Sequence, residues 1–158
     1  MSEKYWWGTR ASISPRLQLE VEYMGRTFGD TFRLEWEPPE RLYWIGTIEL
    51  NLSQMRYRHH TLKIIYPKYY PNHPPEAYVV APKIYSNKHQ FEDGQLCLFN
   101  PKDGSQYGWN PSTSTAVTVA GWAIEWLYAY YTWRATGIWP GVEGSIAKSK
   151  HRWFSWKR

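Results

Sequence analysis

The spacing of apolar residues near the N-terminus predicts a short amphipathic helix. Ser14 is suited to cap this helix and Pro15 to occupy its first turn, while Gly25 and Gly29 weaken its far end. Residues 1–13 show no period and are expected to form a loosely held, flexible arm. The apolar positions of the helix recur at helical intervals along one face: Leu17, Val21, Met24 and Phe28.

Four closely spaced segments after this helix alternate apolar with polar residues. Their spacing predicts an antiparallel meander rather than crossover units. Gly46 falls where the alternation changes phase, so a β-bulge is expected there. The four predicted strands are Thr31–Glu37, Leu42–Leu52, His59–Tyr66 and Ala77–Val80.

The second half of the chain predicts two loops and a longer helix. A proline-rich segment, residues 66–75, predicts a rigid extended connection, with Tyr70-Pro71 as a candidate cis turn. Residues 82–111 have no period, and a segment of that length within a domain is typical of a functional loop. A second helix is predicted over Ala116–Trp133. Its wide apolar face contains Val119, Trp122, Ala123, Trp126, Leu127, Tyr130 and Tyr131.

These elements fit one α+β domain over residues 14–140, with a tail over residues 141–158. The 158-residue chain is long enough to bury a core without disulfides or metals. No apolar run approaches the roughly 20 residues of a spanning helix, and no secretory signal is visible at the N-terminus. The single cysteine favours a reducing compartment. We therefore expect a cytoplasmic protein with no membrane span.

The net charge of +5 comes from the tail. Five basic side chains follow the last acid, Glu143, so the preceding part of the chain balances at zero. Trp153, Phe154 and Trp156 lie among these cations. Basic residues with aromatic rings suit single-stranded nucleic acid or an anionic lipid surface. The neutral charge of the rest of the chain argues against a nucleic-acid function.

Cys97 is the candidate nucleophile. In an extended stretch Leu96 and Leu98 point to one side and Cys97 to the other, so inward leucines leave the thiol facing outward. A buried structural thiol is the alternative, because cysteines outside disulfides are often buried. The histidines lack the spacing of a metal site, and no phosphate-binding glycine loop or serine nucleophile elbow is present. Neither a metal nor a nucleotide cofactor is expected.

Several motifs occur in a fixed order that resembles the ubiquitin-conjugating enzyme family over about residues 14–139. They are Tyr66-Pro67, Tyr70-Pro71, Pro74-Pro75, Gly94-Gln95-Leu96-Cys97-Leu98 and Trp109-Asn110-Pro111. The resemblance implies an N-terminal helix, a four-stranded antiparallel meander, an active-site loop and a C-terminal helix. It also implies that Cys97 accepts the C-terminal glycine of a protein as a thioester from an adenylating enzyme. Cys97 would then deliver that acyl group to an amine, usually a lysine of a target protein.

The chain departs from the family pattern at the donor that stabilises the oxyanion. The family carries His-Pro-Asn with the asparagine eight residues before the cysteine, whereas that position here is His89. An imidazole can donate to an oxyanion or move a proton, so His89 is the predicted second catalytic residue. Asn87 is the alternative donor. Asp103 is a weaker candidate for deprotonating the lysine, and Trp109 is expected to pack the active-site loop against the domain.

Dense aromatics over residues 132–140 resemble a divergent, standalone prokaryotic branch of this family. Members of that branch occur in antiphage operons. In cyclic-oligonucleotide (CBASS) signalling, the implied acyl donor is the C-terminus of a nucleotidyltransferase that resembles the DNA sensor of animals, cGAS. Two alternatives remain open. One is conjugation of a ubiquitin-like protein in a different defence operon, and the other is a non-catalytic adaptor or nucleic-acid-binding module that uses the basic tail.

Overall fold

The computed structural model describes residues 5–52, 58–98 and 108–140. The predicted basic tail and Asp103 lie outside these residues. Two helices flank a set of four strands in the order that the sequence predicts. The elements are α1 (Pro15–Phe28), β1 (Phe32–Glu37), β2 (Arg41–Glu49), β3 (His59–Ile65), β4 (Glu76–Ala81) and α2 (Ala116–Thr136).

The four strands form one antiparallel sheet in the order β1-β2-β3-β4. This arrangement confirms the predicted meander. Trp44 pairs with Ile64, and Ile64 in turn pairs with Ala77, so inward-facing residues line up across three strands. All three are buried, and α2 packs against β3 and β4. The sheet and α2 therefore enclose the main core.

The prediction of a β-bulge at Gly46 is wrong. Pairing runs through this residue without a shift, with Phe32 on one side and Leu62 on the other. A Cβ atom at position 46 would lie 2.5 Å from the Thr31 carbonyl oxygen and 2.7 Å from the Phe32 ring. Glycine is needed here because β1 packs tightly against it. The register shift of the sheet lies instead between β3 and β4, at Thr61.

The predicted face of α1 is partly wrong. The Ser14 hydroxyl caps the helix by accepting a hydrogen bond from the Leu17 amide, as predicted. Leu17 and Met24 are buried, but Val21 is 43% exposed. Glu20 occupies the buried position that the apolar pattern assigned to its neighbour. A charged residue in the core needs partners, and these come from α1 itself and from two other segments.

The Glu20 carboxylate joins α1 to the proline-rich segment and to the start of α2. It accepts hydrogen bonds from the Ala116 amide (2.8 Å), the Tyr66 hydroxyl (3.0 Å) and the Tyr70 hydroxyl. Arg16 lies one turn away, with its Nε 3.2 Å from Glu20 Oε1. Burial raises the pKa of Glu20, against the opposing effects of the Ala116 amide and the Arg16 charge. This polar network fills a core position that an apolar side chain usually occupies.

The helix α2 is the central element of the core. It begins with a capping box between Thr115 and Thr118 and ends at Gly137, whose φ of +78° is left-handed. The predicted apolar face is buried except for Tyr131, which is half-buried, and most of the opposite face is buried as well. A helix covered on nearly all sides is typical of a domain centre. No helix in the described ranges is long and apolar enough to cross a bilayer.

Residues 5–13 of the predicted arm contact the domain. Trp7 is buried, and its indole N–H donates to the Glu40 carbonyl at 3.1 Å. The Trp6 ring packs on Tyr66 and Tyr70, with both centroid distances 4.6 Å. This part of the arm therefore covers one end of the sheet.

Candidate active site

Cys97 lies on the second strand of a short hairpin within the predicted functional loop. Gln90 and Leu96 form an antiparallel bridge, and the Cys97 amide donates to the His89 carbonyl at 2.9 Å. Gly94, with φ of +94°, allows the turn between the two strands. His89 and Cys97 are consequently cross-strand neighbours.

The alternation predicted around the cysteine is present. Leu96 and Leu98 are 2% and 4% exposed, whereas Cys97 is half-buried. Burial raises the pKa of the Cys97 thiol above its ordinary value of 9.0. In most molecules the Cys97 side chain is therefore a protonated thiol at neutral pH. A reaction at this sulfur must remove that proton during attack.

His89 is held in an unusual conformation by two hydrogen bonds to its backbone. Its φ of +57° is left-handed, a region that is uncommon for residues other than glycine. Its carbonyl oxygen accepts from both the Cys97 amide and the Trp126 indole N–H, the latter at 2.7 Å. The His89 ring packs against Trp139, with the centroids 4.6 Å apart. Backbone and ring are thus both fixed beside the cysteine strand.

Gln90 organises the rest of the hairpin. Its side-chain oxygen accepts from the Ser86 amide at 2.8 Å, and its side-chain nitrogen donates to the carbonyls of Ile84 and Gly94, both at 3.1 Å. Asn87, the alternative oxyanion donor, is exposed on the same turn. Sequence reasoning missed Gln90, because no local pattern marks an amide that bridges two backbone segments.

The described contacts of Trp109 are with the proline-rich segment. Its indole N–H donates to the Pro71 carbonyl at 2.6 Å, and its ring lies against Tyr70 at 5.7 Å. The Tyr70-Pro71 bond is cis, as predicted. Trp109 thus holds the end of the loop that follows Cys97 against the domain, as expected from the sequence.

The aromatic side chains of α2 have a further role that the sequence did not indicate. Trp122 and Trp126, on the predicted apolar face of α2, are both fully buried. Trp126 also carries the hydrogen bond to His89, and only the tertiary structure brings these two residues together. Across the three described ranges, no three side chains of the His, Cys, Asp and Glu types come together as a candidate metal site.

A single α+β domain with its cysteine on a hairpin beside a four-stranded meander defines the class of ubiquitin-conjugating folds. The structure of human Ubiquitin-conjugating enzyme E2 G1 is similar, with a TM-score of 0.51 and 17% sequence identity. The match covers 74% of this chain and 98% of the human one. A comparison with curated proteins finds no significant match.

The family model described as Type II CBASS E2 protein matches residues 20–145. The chain therefore belongs to the Type II CBASS E2 family, a divergent group of E2-like proteins from CBASS antiphage operons. Its fold and family together support a conjugating, E2-like role in that defence system.

Proposed function

We propose that this protein is a cysteine-dependent acyltransferase. Cys97 takes the C-terminal glycine of a protein as a thioester and transfers it to an amine, usually a lysine side chain. The observation that carries the proposal is the placement of Cys97. Its neighbours Leu96 and Leu98 anchor the strand in the core, while the half-buried thiol faces away from them.

The chemistry divides into two exchanges at one carbonyl carbon. In the first, the Cys97 sulfur attacks the activated C-terminus, loses its proton and releases the activating group. In the second, an amine nitrogen attacks the thioester, the C–S bond breaks, and the sulfur leaves and regains a proton. Each exchange passes through an oxyanion, which needs a hydrogen-bond donor. His89, the cross-strand neighbour of Cys97, is the proposed donor.

The proposed acyl donor follows from the family. In a CBASS operon we expect it to be the C-terminus of a cGAS-like nucleotidyltransferase, delivered by an adenylating enzyme. A ubiquitin-like protein would be chemically equivalent at Cys97, and the mass of the adduct separates the two donors. The thiol must stay reduced to act, which fits a cytoplasmic location.

Intact mass spectrometry under non-reducing conditions tests the proposal. The protein is co-expressed with its genomic neighbours as wild type, Cys97→Ser and Cys97→Ala. We expect a thiol-labile adduct on the wild type, a more stable ester on Cys97→Ser and no adduct on Cys97→Ala. Because Cys97 is the single cysteine, a labile adduct identifies the site. If no variant forms an adduct while the neighbours are active, the adaptor alternative replaces this proposal.

Two substitutions at His89 test the oxyanion donor. Asparagine tolerates the left-handed backbone at this position and keeps a donor, so His89→Asn should retain transfer. His89→Ala removes the donor, and we expect transfer to fall about 100-fold or more. Thioester discharge of wild type and both variants is followed by mass. Discharge by His89→Ala at the wild-type rate would exclude the side chain as donor.

A further inference from the structure

The strand that carries Cys97 also pairs with the edge of the sheet. Tyr78 and Gln95 form an antiparallel bridge, and the Leu96 amide donates to the Ala77 carbonyl at 2.9 Å. Because the two strands are antiparallel, moving one residue toward Cys97 on the hairpin strand moves one residue toward the start of β4. The next opposed pair in this register is Glu76 and Cys97.

Burial shows that these two side chains share a face. Ala77 and Leu96 are 1% and 2% exposed and point into the core. Side chains alternate along a strand, so Glu76 and Cys97 both point to the opposite, outer face. Directly opposed residues on one face have Cβ atoms about 4.5–5.5 Å apart. Cys97 thus lies between His89 on one side and Glu76 on the other.

The surroundings of Glu76 leave it able to meet a cation. The Tyr78 hydroxyl lies within hydrogen-bond distance of two carboxylates, Glu76 Oε2 at 3.2 Å and Asp93 Oδ2 at 3.3 Å. Glu76 is half-buried and also borders a cleft of about 500 Å³, together with Trp6, Lys68 and Tyr69.

We propose that Glu76 binds the acceptor amine, so that its carboxylate selects cationic amines for attack on the Cys97 thioester. This inference rests on the proposed acyltransferase function. The acceptor arrives as an ammonium, and its first proton passes through the carboxylate to solvent. The nitrogen then bonds to the thioester carbon, the C–S bond breaks, and the second proton lost by nitrogen ends on the leaving sulfur. The preference for cationic acceptor amines therefore depends on a residue of β4.

The test uses a thioester that needs no partner enzyme. The full chain is loaded at Cys97 by exchange with a synthetic glycine-terminated peptide thioester. Discharge is then followed by intact mass with two acceptors, the cationic Nα-acetyl-lysine amide and hydroxylamine, which is uncharged at neutral pH. The variants are Glu76→Gln, the charge-retaining Glu76→Asp, and Glu92→Gln. The last is a matched loss of charge at an exposed site on the hairpin that carries Cys97.

We expect Glu76→Gln to slow discharge to the lysine amide about three- to fivefold, through a higher KM, as suits a partly exposed charge pair. Discharge to hydroxylamine and the loading step should change less than twofold. Glu76→Asp should recover much of the lysine rate, and Glu92→Gln should match wild type. Equal lysine rates for wild type and Glu76→Gln, or equal slowing with both acceptors, would overturn the role of Glu76. Failure of the wild type to load at all would instead overturn the acyltransferase proposal.

Discussion

The buried carboxylate of Glu20 should stabilise this fold far more than an exposed carboxylate on the same helix. Glu20 is fully buried and accepts from the Ala116 amide and from the hydroxyls of Tyr66 and Tyr70. Arg16 completes the network with its Nε 3.2 Å from the carboxylate. The substitution Glu20→Ala removes the acceptor for all of these donors at once and leaves the guanidinium without its ionic partner.

The magnitude follows from this geometry. Breaking a buried ion pair from one side costs about 3–5 kcal/mol, a large part of the roughly 5–15 kcal/mol by which a domain is stable. Glu20→Gln keeps one acceptor oxygen and most of the volume, so we expect a smaller loss of about 1–2 kcal/mol. Glu22 is the matched control, because it pairs with Arg26 at the same i,i+4 spacing but its side chain is 52% exposed. Glu22→Ala should cost less than about 0.5 kcal/mol.

Urea unfolding followed by tryptophan fluorescence gives the free energy of unfolding for each variant. The pH dependence gives a second, independent readout. Burial raises the pKa of Glu20 above its ordinary value of 4.5, so the folded chain binds this proton more tightly than the unfolded chain does. Wild-type stability should therefore fall as pH rises from about 4.5 through the raised folded pKa, a decline that Glu20→Gln lacks. Equal losses for Glu20→Ala and Glu22→Ala would refute the reasoning.

Three further predictions concern the sheet and the hairpin. Gly46→Ala should destabilise the protein by about 1–3 kcal/mol in urea unfolding, because its Cβ would lie 2.5 Å from the Thr31 carbonyl; unchanged stability would contradict this. Trp126→Phe removes the hydrogen bond to His89 and part of a fully buried side chain, and should cost about 2–3 kcal/mol on the same assay. Iodoacetamide should alkylate Cys97 more slowly at pH 8 in the folded chain than in urea, since burial raises the pKa of that thiol. Equal alkylation rates in the folded chain and in urea would exclude a raised pKa for Cys97.

The sequence predicted the elements well because each leaves a local pattern. Alternating residues place the four strands within a few positions of their observed ends. The apolar stripe predicts α2 over Ala116–Trp133, three residues short of its observed end at Thr136. The errors concern residues whose environment is set from far along the chain. Gly46 disturbs a local alternation but serves the close packing of β1, and Glu20 breaks the apolar stripe of α1 but finds its partners 46 to 96 residues away.

The candidate site divides in the same way. Cys97 and its flanking leucines follow from alternation in a short stretch, and His89 from its distance in sequence to the cysteine. Glu76 lies 21 positions before Cys97 and becomes its neighbour only through the register between β4 and the hairpin. Trp126 reaches His89 from the predicted apolar face of α2. Hydrogen bonds between distant segments produce no periodic pattern in the sequence, so the structure was needed to identify these residues.

The helix α2 contacts both the buried Glu20 network and the cysteine hairpin, at two separate positions. Its first residue, Ala116, donates its amide to Glu20, and Trp126 donates to the His89 carbonyl. These residues are ten positions apart, or about 15 Å along the helix at 1.5 Å per residue. Sites separated by more than about 10 Å without shared partners act almost independently. Glu20 substitutions should therefore lower global stability while leaving Cys97 alkylation in the folded chain unchanged, whereas loss of the Trp126 hydrogen bond loosens the strand opposite the thiol directly.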